Sequence, residues 1–245
     1  MALVTGASRG IGSAIATALA EQGAQVVLSS RKQADLDAEA ERINARFPER
    51  AVAIAGHAGK PEDLQRLVDE AMAKYSRIDI LVNNAATNPY FGPVLGADAA
   101  VWDKTFEVNV RGMFLLTKLV YEASMETRGG VVINVASVGG LKPGLGLGIY
   151  NVSKAAVIML TRQLAHELGG RVRVNAVAPG LIKTRFAEAL WGNEAILERI
   201  LSNNPMGRIG TPDEVAGAVV FLASDAASYI NGEVLVIDGG GAGEG

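Results

Sequence analysis

One stretch constrains this chain more than any other: a short apolar run, then a glycine-rich turn, then an alanine-rich helical pattern. Ala2-Leu3-Val4-Thr5 reads as a buried strand that begins almost at the terminus, and Gly6-Ala7-Ser8-Arg9-Gly10-Ile11-Gly12 follows directly. Residues 13–22 carry the helical pattern, which stops at Gly23. Strand, glycine turn and helix in that order form the opening of a nucleotide-binding βα unit. The glycines let the backbone approach a pyrophosphate, and the helix start offers unpaired amides and the positive end of its dipole. Gly6, Ser8, Arg9, Gly10, Ile11 and Gly12 are the expected phosphate-facing residues. The spacing is Gly-x-x-x-Gly-x-Gly, which differs from the most familiar dinucleotide fingerprint.

The alternation continues. Apolar strand patterns recur at 25–30, 51–55, 79–82, 131–136, 172–177 and 233–237, with helical patterns at 35–46, 61–75, 101–124 and 150–168 and another opening at Pro212. This predicts an α/β chain: a Rossmann-type doubly wound sheet of about seven parallel strands with helices on both faces, in one domain spanning 1–245. Residues 181–209 break the alternation after a strand end and are expected to form a substrate lid. Of the 245 residues, 49% are hydrophobic, which supplies a core, and only 5% are aromatic, which suits close helix-on-sheet packing.

The net charge is −3 with both signs interleaved, so neither a nucleic acid nor a membrane surface has electrostatic support as a partner. No apolar run is long enough to span a bilayer, and the N-terminus has no signal-peptide design. The absence of cysteine excludes a disulfide scaffold and a thiolate nucleophile, and fits a reducing compartment. A cytoplasmic protein without a metal site is expected.

Candidate functional residues gather at the strand ends. Where the second strand ends, an NAD-binding unit usually carries a carboxylate for the ribose hydroxyls. Here Ser30 and Arg31 stand there, and a guanidinium suits a 2′-phosphate. With Arg9 facing from the glycine turn, NADP(H) is the expected cofactor ahead of NAD(H). His57 follows the third strand, where an adenine ring would lie. Asn83-Asn84-Ala85-Ala86 ends the fourth strand, and residues 87–96 form a loop over the pocket. Asn109 lies amid Phe106, Val108, Val110 and Phe114, so it is expected to be buried and bonded. Ser137 closes the fifth strand, and Pro179-Gly180 the sixth.

Tyr150 and Lys154 stand four apart at the start of a helical pattern and share one face. A free phenol has a pKa near about 10. A lysine cation about 4 Å away contributes roughly 4 kcal/mol in a partly dry pocket, against about 1 kcal/mol in bulk water. The larger figure, roughly three pKa units, brings the phenol toward neutrality. Desolvation alone acts the other way.

Thr5-Gly6-(x)3-Gly10-x-Gly12, Asn83-Asn84-Ala85, Asn109, Ser137, Tyr150-(x)3-Lys154 and Pro179-Gly180 together resemble the classical short-chain dehydrogenase/reductases, in order and along essentially the whole chain. Residues 83–91, 101–105 and 179–184 look like the NADPH-dependent carbonyl reductases of the family. Much of the scaffold also looks like the 3-oxoacyl-acyl-carrier-protein reductases. Ala86 stands where the family usually has glycine, and His57 where many members carry aspartate. The resemblance implies interconversion of a carbonyl and a secondary alcohol. Tyr150 is then the acid/base, Ser137 holds the substrate oxygen, and Lys154 tunes Tyr150 and holds the nicotinamide ribose. Asn109, by side chain or backbone, anchors a water that feeds protons to Lys154. Asn83, Ala85, Tyr150, Lys154, Pro179, Gly180, Ile182 and Thr184 join the cofactor contacts.

The partners implied are a small carbonyl or alcohol and three further copies in a homotetramer, through the helices at 101–124 and 150–168. Phe91, Leu141, Leu145, Leu147, Phe186, Leu190 and Trp191 are expected to line an apolar substrate pocket. An acyl-carrier thioester is the alternative substrate, with Arg128 and Arg171 as candidate contacts. A catalytically idle dinucleotide sensor is the remote alternative. The tail has no Ser-Lys-Leu-like peroxisomal address, which keeps the expectation at the cytoplasm.

Overall fold

The computed structural model describes residues 1–144 and 146–241. Strands β1 (Ala2–Thr5), β2 (Val26–Ser30), β3 (Ala51–Ala55), β4 (Ile80–Asn83), β5 (Gly130–Val135), β6 (Val172–Pro179) and β7 (Val234–Ile237) form one parallel sheet in the order β3-β2-β1-β4-β5-β6-β7. The strand order reverses between β1 and β4, and in such sheets ligands bind outside the strand ends at that point.

Alternation along β1 sorts the core into two layers. Ala2 and Val4 point to the face covered by helices α1 (Gly10–Glu21), α2 (Gln33–Asn44) and α10 (Pro212–Ala223). Leu3 points to the face of α3 (Pro61–Tyr75), α5 (Gly112–Val120) and α7 (Gly148–Leu168). Small residues on α1, Ala14, Ala16 and Ala20, let it lie close on the sheet beside α10. Pro61 at the first position of α3, with Glu62 and Asp63 in the first turn, starts that helix where the sequence predicts.

The helical stretch from Ala99 differs from expectation. The pattern predicts one unbroken helix over 101–124, but α4 (Ala99–Phe106) passes through a wide π turn at Glu107–Arg111 into α5. A second π turn at Tyr121–Met125 leads to the short α6 (Glu126–Arg128). Beside the first π turn, a Cβ on Gly112 would collide with the Ala58 carbonyl oxygen, so helix and loop approach there as only glycine permits. The first π turn carries Asn109.

The 181–209 segment contains α8 (Glu188–Trp191) and α9 (Glu194–Leu201). Its root is tied to the scaffold by a bridge between Ile182 and Gly210. From Lys183 to Glu214 no residue is buried. No helix among the described residues is long and apolar enough to cross a membrane.

Candidate active site

A cavity of about 1100 Å³ opens where the sheet order reverses. Thr5 sits at its base and ties the two sides together. Its hydroxyl oxygen accepts from the amides of Asn84 (3.0 Å) and Ala85 (3.1 Å), and its hydrogen goes to the Val82 carbonyl (3.3 Å). The Asn84 side-chain amide donates back to the carbonyls of Thr5 (2.9 Å) and Gly6 (3.2 Å). Gly6 and Gly10 have φ of +65° and +62°, a conformation that side chains disfavour. A Cβ on Gly12 would lie 2.4 Å from the Gly6 carbonyl oxygen, so α1 starts directly against the turn. No side chain caps α1, and its first residues, Gly10 and Ile11, line the cavity. A helix start held open in this way fits a pyrophosphate.

The structure separates the expected residues into three groups. Gly6, Ser8, Arg9, Gly10, Ile11, Arg31, Ala85, Ser137, Tyr150, Lys154, Pro179, Gly180, Ile182 and Thr184 all line the cavity. Gly12 lies beneath the turn and acts through close approach. Asn83 and Asn109 point elsewhere. Asn83 shares the core-facing side of β4 with Leu81, and its side-chain amide donates to Thr117 (3.0 Å) and Asn134 (2.9 Å). Asn84 takes the cavity-facing place. The Asn109 side chain is bonded through both its oxygen and its nitrogen: its oxygen accepts from the Thr87 amide (2.8 Å), and its nitrogen donates to the Thr87 carbonyl and the Ser153 hydroxyl (both 3.0 Å). Both its N–H hydrogens are committed, so it can meet a water only through the second lone pair of its oxygen or through its backbone carbonyl.

Phe91, Leu147, Phe186 and Leu190 line the cavity, whereas Leu141 and Trp191 do not, and Leu145 lies outside the described residues. The Tyr150 and Phe186 rings stand 5.9 Å apart. His57 also lines the cavity, with its Nδ1 accepting from the Gly59 amide (2.9 Å). Burial and then Lys104 hold its pKa below the ordinary value. Among the described residues no group of three or more His, Cys, Asp or Glu is arranged to hold a metal.

Ser137 stands at the end of β5, and its hydroxyl oxygen accepts from the Gly139 amide (3.1 Å). Tyr150 lies in the first turn of α7. Lys154, one turn on, is only 1% exposed and donates from Nζ to the Val135 carbonyl at 2.7 Å. Its nitrogen is 5.5 Å from the Tyr150 ring centre.

These charges depart from the sequence expectation. Burial pushes the Tyr150 phenol up to about 12, and a hydrogen bond with Ser137 offsets only part of the rise. Burial likewise pushes the Lys154 amine down to about 7. The lysine does not draw the phenol toward neutrality in the protein alone, because its own charge is disfavoured in the same dry site. Tyr150 therefore holds its proton through the physiological range.

Two residues the sequence reading did not single out also belong to this region. Arg185, just past Thr184, shares a small basic cavity with Arg9 and Arg31. Asn151 is 7% exposed, lines the main cavity, and has a buried amide oxygen without a hydrogen-bond partner. Its place beside Tyr150 was the only sequence signal.

Residues 6–241 match a family model described as Enoyl-(Acyl carrier protein) reductase. The rabbit (Oryctolagus cuniculus) protein named Dehydrogenase/reductase SDR family member 4 is 47% identical over 98% of this chain and 92% of its own length. The human protein of that name is 44% identical over 98% of this chain and 86% of its length. Among solved structures, a gluconate 5-dehydrogenase from Burkholderia cenocepacia in complex with NADP and tartrate matches with TM-score 0.94 and 31% identity, covering 100% of this chain and 95% of that one. A short-chain type dehydrogenase/reductase from Mycobacterium ulcerans matches with TM-score 0.94 and 30% identity, over 98% and 89% of the two chains.

Proposed function

The chain belongs to the short-chain dehydrogenase/reductase family of oxidoreductases, and on that premise we propose that it interconverts a ketone and a secondary alcohol with NADP(H). The observation that carries this reading is the convergence of a protonated Tyr150 phenol, the Ser137 hydroxyl and the Lys154 amine on one cavity that begins at an open helix start. The bound cofactor supplies the hydride. Tyr150 donates its proton to the carbonyl oxygen, and Ser137 hydrogen-bonds that oxygen and fixes its position. Lys154 spends one hydrogen on Val135 and has others for a ribose hydroxyl and for the phenol side. Asn109 shapes the site by pinning the Thr87 loop to Ser153 on α7, and its side-chain oxygen or backbone carbonyl positions a proton-feeding water.

Preference for NADP(H) is supported by a side cavity of about 230 Å³ lined by Ser8, Arg9, Ser30 and Arg31 among others. The relative from Burkholderia cenocepacia was crystallised with NADP. Arg31→Asp is expected to weaken NADPH binding about a hundredfold, by losing a charge-assisted contact and adding a repulsion, while NADH binding holds or improves. Dissociation constants for both cofactors test this, and an unchanged preference removes the NADP(H) assignment.

A second substrate class is a 3-oxoacyl-carrier thioester; the description of the matched family model shares the acyl carrier but names an enoyl, not a 3-oxoacyl, group. Following NADPH consumption with small α-dicarbonyls and with a 3-oxoacyl-carrier thioester separates the two. Free-ketone reduction is expected to be the faster, and the reverse order assigns the carrier substrate.

The proposal includes a single catalytic domain with its lid at 181–209, a cytoplasmic location, and a homotetramer. Support for the last comes from Trp102, Phe114, Val152 and Met159, which are exposed apolar residues on the helices expected to pair.

A further inference from the structure

The small cavity beside the glycine turn has one wall the 2′-phosphate reading does not use. Ser8, Arg9, Ser30, Arg31, Lys32 and Asp35 come from the turn after β1 and from the end of β2 with the start of α2, but Arg185 comes from the lid. Four cations and one carboxylate thus meet in about 230 Å³. Among the described residues none of the four cations forms an ion pair or side-chain hydrogen bond. Such concentrated like charge is unfavourable until an anion arrives. Arg185 is placed there by its neighbours. Thr184 lies against Gly10, with its methyl 3.4 Å from where a Cβ would be, and its carbonyl accepts from the Trp191 indole at 2.8 Å. The lid beyond has no buried residue, and the apolar side of α9 (Ile196, Leu197, Ile200 and Leu201) is only partly covered.

We propose that Arg185 is a third guanidinium for the cofactor's 2′-phosphate, supplied by the lid, so that the phosphate which selects NADP(H) also draws the lid down. The inference rests on the NADP(H) reading of the same cavity. NADPH then orders the segment that covers the substrate, whereas NADH, without the phosphate, leaves it loose. The anion favours the closed arrangement by the difference in its contacts between the two lid positions.

The test uses the whole protein and two readouts that do not depend on turnover. Equilibrium binding of 2′,5′-ADP and 5′-AMP isolates the phosphate. A glutamate-specific protease reports the lid through Glu188, Glu194 and Glu198, none of which the variants alter. Arg185 is exposed, so Arg185→Gln leaves the cores untouched. Arg185→Gln is expected to weaken 2′,5′-ADP about tenfold and leave 5′-AMP unchanged, with Arg185→Lys recovering part of the loss. NADPH is expected to protect the lid from cleavage in the native protein more than NADH does, and the glutamine variant to lose that difference. Weakened 2′,5′-ADP binding by Arg31→Gln but not by Arg185→Gln overturns the lid contact and leaves the NADP(H) reading standing. Undiminished 2′,5′-ADP binding in both variants overturns both. Equal protection by NADPH and NADH in the native protein overturns the coupling.

Discussion

Tyr150→Phe is expected to lower kcat by at least about a thousandfold while NADPH binds with unchanged affinity. The substitution removes one oxygen and keeps the ring that packs against Phe186. General acid catalysis by a placed side chain contributes about 10² to 10⁴, and no other donor in the cavity duplicates a phenol that burial keeps protonated up to about 12. Ser137 still holds the carbonyl oxygen but cannot deliver a proton to solution and back as readily. Steady-state rates and a cofactor titration on the same preparation check the result. A variant that retains more than about a tenth of native kcat shows that the acid lies elsewhere.

Lys154→Met is expected to do two opposite things: abolish turnover and raise the stability of the cofactor-free protein at neutral pH and below. Lys154 falls from 10.5 unfolded to about 7 folded because burial disfavours its charge. Between those values the unfolded chain binds more protons than the folded one, so the native protein gains stability as pH rises from about 7 toward 10.5. Below about 7 the full cost is present, on the order of 5 kcal/mol. Methionine removes it but leaves the Val135 carbonyl without its donor, a loss of about 1–3 kcal/mol. The net gain of about 2–4 kcal/mol corresponds to a rise of several degrees in Tm, at least about 4 °C, for a chain of this size. The gain should shrink toward pH 10. Tyr150 adds its own trend only above its unfolded value of 10.0, where its raised pKa makes the native state less stable as pH climbs to about 12. Melting curves of both proteins at pH 6 and pH 9.5 decide the matter, and a variant that melts below the native protein at pH 6 contradicts the burial cost.

How far the sequence alone reaches follows from where each cause lies. Ala51–Ala55 and Pro61–Tyr75 appear with the expected bounds, because a turn or a proline marks their ends locally. The βα alternation predicts parallel strands but not their order, because more than one doubly wound order fits it; the reversal between β1 and β4 comes from the structure. The π turn at Glu107–Arg111 was hidden, since nothing in the local pattern marks it and the close Gly112–Ala58 approach beside it joins residues far apart in sequence. Asn83 and Asn84 were separable in principle. Asn83 follows Leu81 with the period of a strand and therefore faces α5, which frees Asn84 for the turn. The protonation of Tyr150 and Lys154 was not legible, because spacing puts a cation near a phenol but does not say how much water either loses.

The segment from Lys183 to Glu214 contributes no buried side chain to either layer of the sheet. Away from its ties at Thr184, Asn204 and Gly210, exchanging its exposed side chains disturbs neither layer, so the pocket's cover can change while the catalytic frame stays. The same feature predicts faster amide hydrogen exchange there than in the buried strands of the sheet.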